Sequence, residues 1–143
     1  MSEANKQVIR KLIEELWNKG NLDAIDELYA PDFVDSSPGM PPEIPTDREG
    51  AKQFVTMFRA AYPDIKGTIK DELADGDKVV VRWEAHATHE GDFMGIPATG
   101  KKVTVTGTSI YRLSGGKVAE EWTHADMLSL MGQIGAIPEM AGT

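Results

Sequence analysis

With 143 residues, no cysteine and a hydrophobic fraction of 41%, the chain has room for one domain with a real core, and disulfides, thiolate nucleophiles and cysteine-ligated zinc are excluded. Fifteen Lys and Arg against 23 Asp and Glu leave a formal charge of −8, which disfavours nucleic-acid backbones and anionic membranes as partners. No apolar run approaches the ~20 residues of a membrane span, and the Met-Ser-Glu-Ala-Asn-Lys start lacks the basic-then-apolar pattern of a secretory signal, so a cytoplasmic location is expected.

Val8, Ile9, Leu12, Ile13, Leu16 and Trp17 recur at helical spacing and predict a helix over residues 3–18. Asn18-Lys-Gly-Asn21 ends it, with Gly20 as the left-handed residue and Asn21 as cap of a short second helix over 22–29. Phe33-Val34-Asp35 reads as a short strand. Residues 36–46 hold four of the eight prolines and read as a long loop, of the kind that is often functional or a lid. Thr46-Asp-Arg-Glu49 fits a capping box for a third helix, which carries Ala51, Phe54, Val55 and Phe58 inward and stops before Pro63.

Strand patterns dominate the remainder. Ile65–Ala74 and Lys78–Thr88 flank the hairpin signal Asp75-Gly-Asp77, and Val103–Leu113 and Lys117–Ala125 flank Ser114-Gly-Gly116. A last helix over Asp126–Ile134 ends at Gly135. Helices followed by an antiparallel meander predict an α+β domain with one sheet face packed on segregated helices. Side chains two apart on a strand share a face, so Val118, Trp122, His124 and Asp126 are expected to point the same way.

This order and its motifs resemble the nuclear-transport-factor-2-like superfamily, and within it the SnoaL-like polyketide cyclases and ester cyclases. The resemblance rests on Asn18-Lys-Gly-Asn-Leu-Asp-Ala-Ile-Asp-Glu-Leu-Tyr29, Tyr62-Pro-Asp64, Asp75-Gly-Asp77, Thr88-His-Glu-Gly-Asp-Phe-Met-Gly-Ile-Pro-Ala-Thr-Gly-Lys101 and Gly116-Lys-Val-Ala-Glu-Glu-Trp122 through Asp126. It implies a cone-shaped α+β barrel, a curved antiparallel sheet wrapped on three N-terminal helices, with an apolar pocket and a homodimer formed through the sheet. It also implies a pocket aspartate that acts as general acid/base, without cofactor or metal, in an intramolecular aldol ring closure. Asp126 matches that position. The chain departs from the family pattern at Ser36, where histidine is common, at Ala98, where a second proline is common, and at His124, where an apolar residue is expected. The fold hosts cyclases, isomerases, epoxide hydrolases and non-catalytic binders, so a small-molecule-binding module and an epoxide hydrolase stand beside the cyclase reading.

The candidate residues each carry two readings. Asp126 is either an acid/base or the N-cap of the last helix. His124 either shares its proton or ligand or is a plain hydrogen-bonded pocket histidine. Trp122, Trp17, Tyr29 and Phe58 read as pocket wall or core. Asp35 is a second carboxylate near the pocket mouth, or the start of an Asx turn. His89 contacts a ligand or orders its loop. Met94, Met127 and Met131 are adaptable apolar fillers that suit a greasy ligand if they face the cavity. His86 and His89 are an odd number apart, so they do not converge on one metal, and no helical ligand pair is present.

Overall fold

The computed structural model describes residues 2–136 and shows the first apolar stripe as two continuous parts. Helix α1 covers Ser2–Leu12 and passes into a π-helix over Ile13–Asn18. Ile9, Leu12 and Leu16 are at most 1% exposed, and each such side chain withdrawn from water stabilises the fold by roughly 1.5–3 kcal/mol. Asn18 pins the end of the π-helix to the sheet, with Oδ1 accepting from the Gly67 N–H at 2.7 Å and Nδ2 donating to the Gly67 carbonyl at 3.1 Å. Gly20 takes φ +73° and turns the chain. Helix α2 follows over Asp23–Leu28, where Asn21 Oδ1 accepts from the Asp23 N–H at 3.2 Å.

Helix α3 spans Arg48–Ala61. Its cap is Asp47, one residue later than the expected Thr46, and its Oδ1 accepts from the Gly50 N–H at 3.0 Å. The strands are β1 (Tyr29–Asp35), β2 (Lys66–Asp75), β3 (Lys78–Thr88), β4 (Lys102–Ser114) and β5 (Lys117–Ala125), and α4 (Met127–Gln133) ends the described chain. They form one sheet in the order β1-β5-β4-β3-β2. β2 to β5 are the expected antiparallel meander, but β1 adds to β5 in parallel. The two edges, β1 and β2, do not pair with each other, so the curved sheet is an open cone and not a closed barrel.

The concave face meets the helices. Val79, Val81, Ala85 and Ala87 of β3 and Val103, Val105, Tyr111 and Leu113 of β4 are all buried. They fall into two apolar clusters, one under α1 and α2 and one under α3 and α4, and Trp17 and Trp83 pack against both.

Strand β5 departs from simple alternation. Arg112 pairs with Glu120 and Leu113 with Val118, which leaves Ala119 as an extra residue, a β-bulge. Val118 is buried inward, and beyond the bulge the inward residues are Glu121, Thr123 and Ala125, opposite Tyr111, Ser109 and Gly107. Trp122 and His124 therefore lie on the outer face, and the expected common face with Val118 is corrected. One added residue inverts every later side chain of a period-two element.

Candidate functional site

The polar residues gathered on the concave face define the site. Glu121 stands on β5 beside Asp35 of parallel β1, and the two are register partners. Glu121 Oε1 accepts from the Tyr29 hydroxyl at 3.3 Å, and Oε2 accepts from the Thr123 hydroxyl at 2.8 Å. Thr123 Oγ1 lies 2.7 Å from Ser109 Oγ, and Ser109 Oγ accepts from Trp83 Nε1 at 3.0 Å. An indole N–H can only donate, so the chain of bonds has one polarity, ending in acceptance by the Glu121 carboxylate. Gly107 makes room for the start of this chain. A Cβ there would meet Trp83 Cζ2 at 2.4 Å, so only glycine lets the indole lie over β4.

Burial pushes the Glu121 carboxyl up from 4.5 to about 7, and the neighbouring Asp35 charge pushes in the same direction; the bonds from Thr123 and Tyr29 act against both. Tyr29 and Tyr111 are held well above the usual tyrosine range, chiefly by burial and next by the Glu121 charge. Both phenols thus stay protonated around a carboxyl that titrates near neutrality. The loop after β1 covers this corner. Ser36 N–H donates to the Glu121 carbonyl at 2.9 Å, Ser37 Oγ accepts from the Thr123 N–H at 2.8 Å, and the Asp35 N–H donates to the Thr46 carbonyl at 2.8 Å.

The residues singled out from sequence scatter around this corner. Asp126 is exposed and caps α4, its Oδ1 accepting from the Ser129 N–H at 3.0 Å. His124 is exposed on the outer face opposite Thr108, and Trp122 is half-buried there opposite Ile110. Asp126, His124 and Trp122 are therefore not brought together inside the cone. Tyr29 and Asp35 do reach the concave corner, where Asp35 Oδ1 also closes an Asx turn by accepting from the Ser37 N–H at 2.8 Å. Trp17 packs edge-on against Phe54 and Phe58, at 6.2 and 6.0 Å between ring centres. Met127 is half-buried beside that aromatic cluster, and Met94 is 60% exposed on the loop after β3. His89 is fully buried, with Nδ1 bonded to Thr99.

Glu121, Thr123, Ser109 and Tyr111 carry the site and were not selected from sequence. Glu121 reads as a solvated strand residue until the bulge at Ala119 is known. Its one local sign is a carboxylate in the same alternation as Thr123 and Ala125. Among the described residues no group of three or more His, Asp and Glu is arranged to hold a metal ion, and no helix is long and apolar enough to cross a membrane.

A family model described as SnoaL-like polyketide cyclase matches residues 7–134. Similar solved structures include IdmH of Streptomyces antibioticus, a candidate polyketide cyclase, at 35% identity and TM-score 0.81, covering 92% of this chain and 98% of that one. A candidate polyketide cyclase from Acidithiobacillus ferrooxidans shares 34% identity at TM-score 0.83, covering 92% and 94%. AclR of Streptomyces galilaeus, a candidate hydroxylase, shares 26% identity at TM-score 0.86, covering 99% and 87%. No match was found among curated proteins.

Proposed function

The chain belongs to the SnoaL-like polyketide cyclase family, and from this we propose that it catalyses proton transfer on a small apolar, polyketide-like carbonyl compound, with Glu121 as the acid/base. The observation that carries this reading is an inward carboxyl, bonded to Tyr29 and Thr123, that titrates at about 7. A group with that pKa is present in both protonation states at neutral pH, which suits a base that must later return its proton. Ionised Glu121 removes a proton from the carbon beside a carbonyl. The enolate attacks a second carbonyl of the same molecule, forming the ring C–C bond. Protonated Glu121 then gives its proton to the new alkoxide, so that no atom is gained or lost.

The family resemblance implies Asp126 as the acid/base, and two variants separate the possibilities. Deuterium uptake at the carbon between the carbonyls of a small β-diketone, followed by NMR, is the assay. Glu121→Gln is expected to lower the enzyme-dependent exchange at least ~100-fold. Asp126→Asn, which keeps a good cap, is expected to stay within a few-fold of the parent. The reverse pattern assigns the chemistry to Asp126. Loss in neither variant places the base elsewhere, and no enzyme-dependent exchange in the parent leaves a binding module. In the parent, exchange is expected to rise with pH through about 7, as Glu121 ionises.

A second copy of the chain is the proposed partner of the outer sheet face. Leu73, Val80, Ile110 and Trp122 are register partners in one apolar row across β2, β3, β4 and β5, and Leu73 is 68% exposed. A two-fold contact between identical faces is the simplest way for one chain type to cover such a row.

A further inference from the structure

We propose that Tyr62 and His89 form a two-donor site for a ligand's carbonyl or enolate oxygen. The Tyr62 hydroxyl and His89 Nε2 are both buried and without a hydrogen-bond partner among the described residues. Tyr62 is 1% exposed and His89 0%. Their rings are neighbours, 5.5 Å between centres and tilted by 34°.

The tautomer of the neutral imidazole follows from its other nitrogen. The Thr99 N–H donates to His89 Nδ1 at 3.3 Å, so Nδ1 is an acceptor and the ring proton of the neutral form sits on Nε2. Burial pushes the Tyr62 hydroxyl up to about 12, so it too keeps its proton. Two N–H or O–H donors are thus buried without a protein acceptor among the described residues, where most buried polar groups are paired. Each donor lacks an acceptor, and a ketone or enolate oxygen with two lone pairs, seated against these neighbouring rings, would serve both. Developing negative charge on that oxygen would be held by fixed donors in apolar surroundings.

Those surroundings suit an organic ligand. Phe93 and Phe58 lie 5.2 and 5.9 Å from the Tyr62 ring centre. The half-buried members of this cluster include Met57, Met127 and Met131. Unbranched thioether side chains change rotamer at low cost and can yield to a flat apolar guest. Trp17 and Trp83 connect this cluster to the one that holds Tyr29 and Tyr111. The proposal does not depend on Glu121 turning anything over, because it concerns where a carbonyl oxygen rests.

The test uses acetophenone labelled with ¹³C at the carbonyl, titrated into the full chain. Binding is expected to move the ¹³C resonance downfield of its position in water. Tyr62→Phe is expected to reduce that displacement and weaken binding by roughly 5- to 10-fold, the effect of one neutral hydrogen bond. His86→Gln, an exposed histidine on β3, is expected to leave both unchanged, and the readout needs no turnover, which separates this site from the acid/base reading. In the ligand-free protein Tyr62→Phe is expected to raise the unfolding temperature or leave it level, since the hydroxyl it removes has no bond to lose. A lower unfolding temperature would mean that a resident water satisfies the pair as plain structure, and would overturn the proposal. So would failure of acetophenone to bind, or equal binding by the parent and Tyr62→Phe.

Discussion

A single carboxyl, Glu121, shows how burial trades stability for chemistry. Its rise from 4.5 to about 7 means that the folded protein holds a proton the unfolded chain has released. Below pH 4.5 the group is protonated in both states and costs nothing. Between 4.5 and about 7 the folded state loses ground, by on the order of 3 kcal/mol once the carboxyl is fully ionised. Glu121→Gln, a mimic of the protonated form, is therefore expected to be more stable than the parent at pH 8 and no different at pH 4. Denaturant unfolding at the two pH values measures this. A variant that is less stable at pH 8 would show that the carboxylate is a structural ion. Asp126 behaves oppositely. Its carboxylate is exposed and caps α4, so Asp126→Ala is expected to cost about 1 kcal/mol of unfolding free energy. His124 and Asp126 are close in sequence but share no pocket, since one faces out from the sheet and the other turns to a helix terminus.

The bulge in β5 is the element that decides the site. Ala119 is the unpaired residue, and it turns Glu121 and Thr123 toward Tyr111 and Ser109. Deleting Ala119 would make Leu113–Val118 and Arg112–Glu120 consecutive pairs, so the strand would run without a bulge while Glu121 and Thr123 stay inward. Such a variant is expected to keep cooperative unfolding, with Trp122 and His124 still on the outer face, because only the unpaired residue is removed. Amide-proton dispersion and the thermal transition report it, and loss of cooperative unfolding would show that the bulge itself is needed to hold β1 against β5. The π-helix makes a parallel point. Its apolar stripe was legible as helix over 3–18, but the change from α to π geometry at Ile13 left no pattern in the residues. Asn18 and Arg59 hold that segment in place, Arg59 by donating to the Trp17 carbonyl at 2.5 Å.

At the scale of the fold, the open cone leaves one sheet face without helices among the described residues. The row Leu73–Val80–Ile110–Trp122 runs across it, bordered by the charged row Asp75–Lys78–Arg112–Glu120. If a second copy covers this face, Trp122→Glu is expected to shift the protein from dimer to monomer while the fold persists. Light scattering and sedimentation of the parent and the variant decide it, and a monomeric parent would end the proposal.

The order of helices and strands, the two hairpins, the helix stops at Gly20 and Pro63, and the family were legible in the residues. These are local or periodic properties, written in neighbouring residues and in the spacing of apolar ones. The sequence also marked Asp35 and Tyr29, which do reach the concave corner. Long-range pairing set which way β5 faces after Ala119, that β1 joins the sheet in parallel, and that Glu121 rather than Asp126 turns inward. A bulge is set by the pairing of two strands, and a buried carboxyl's protonation is set by groups from several distant segments. Neither is encoded in any one stretch of chain.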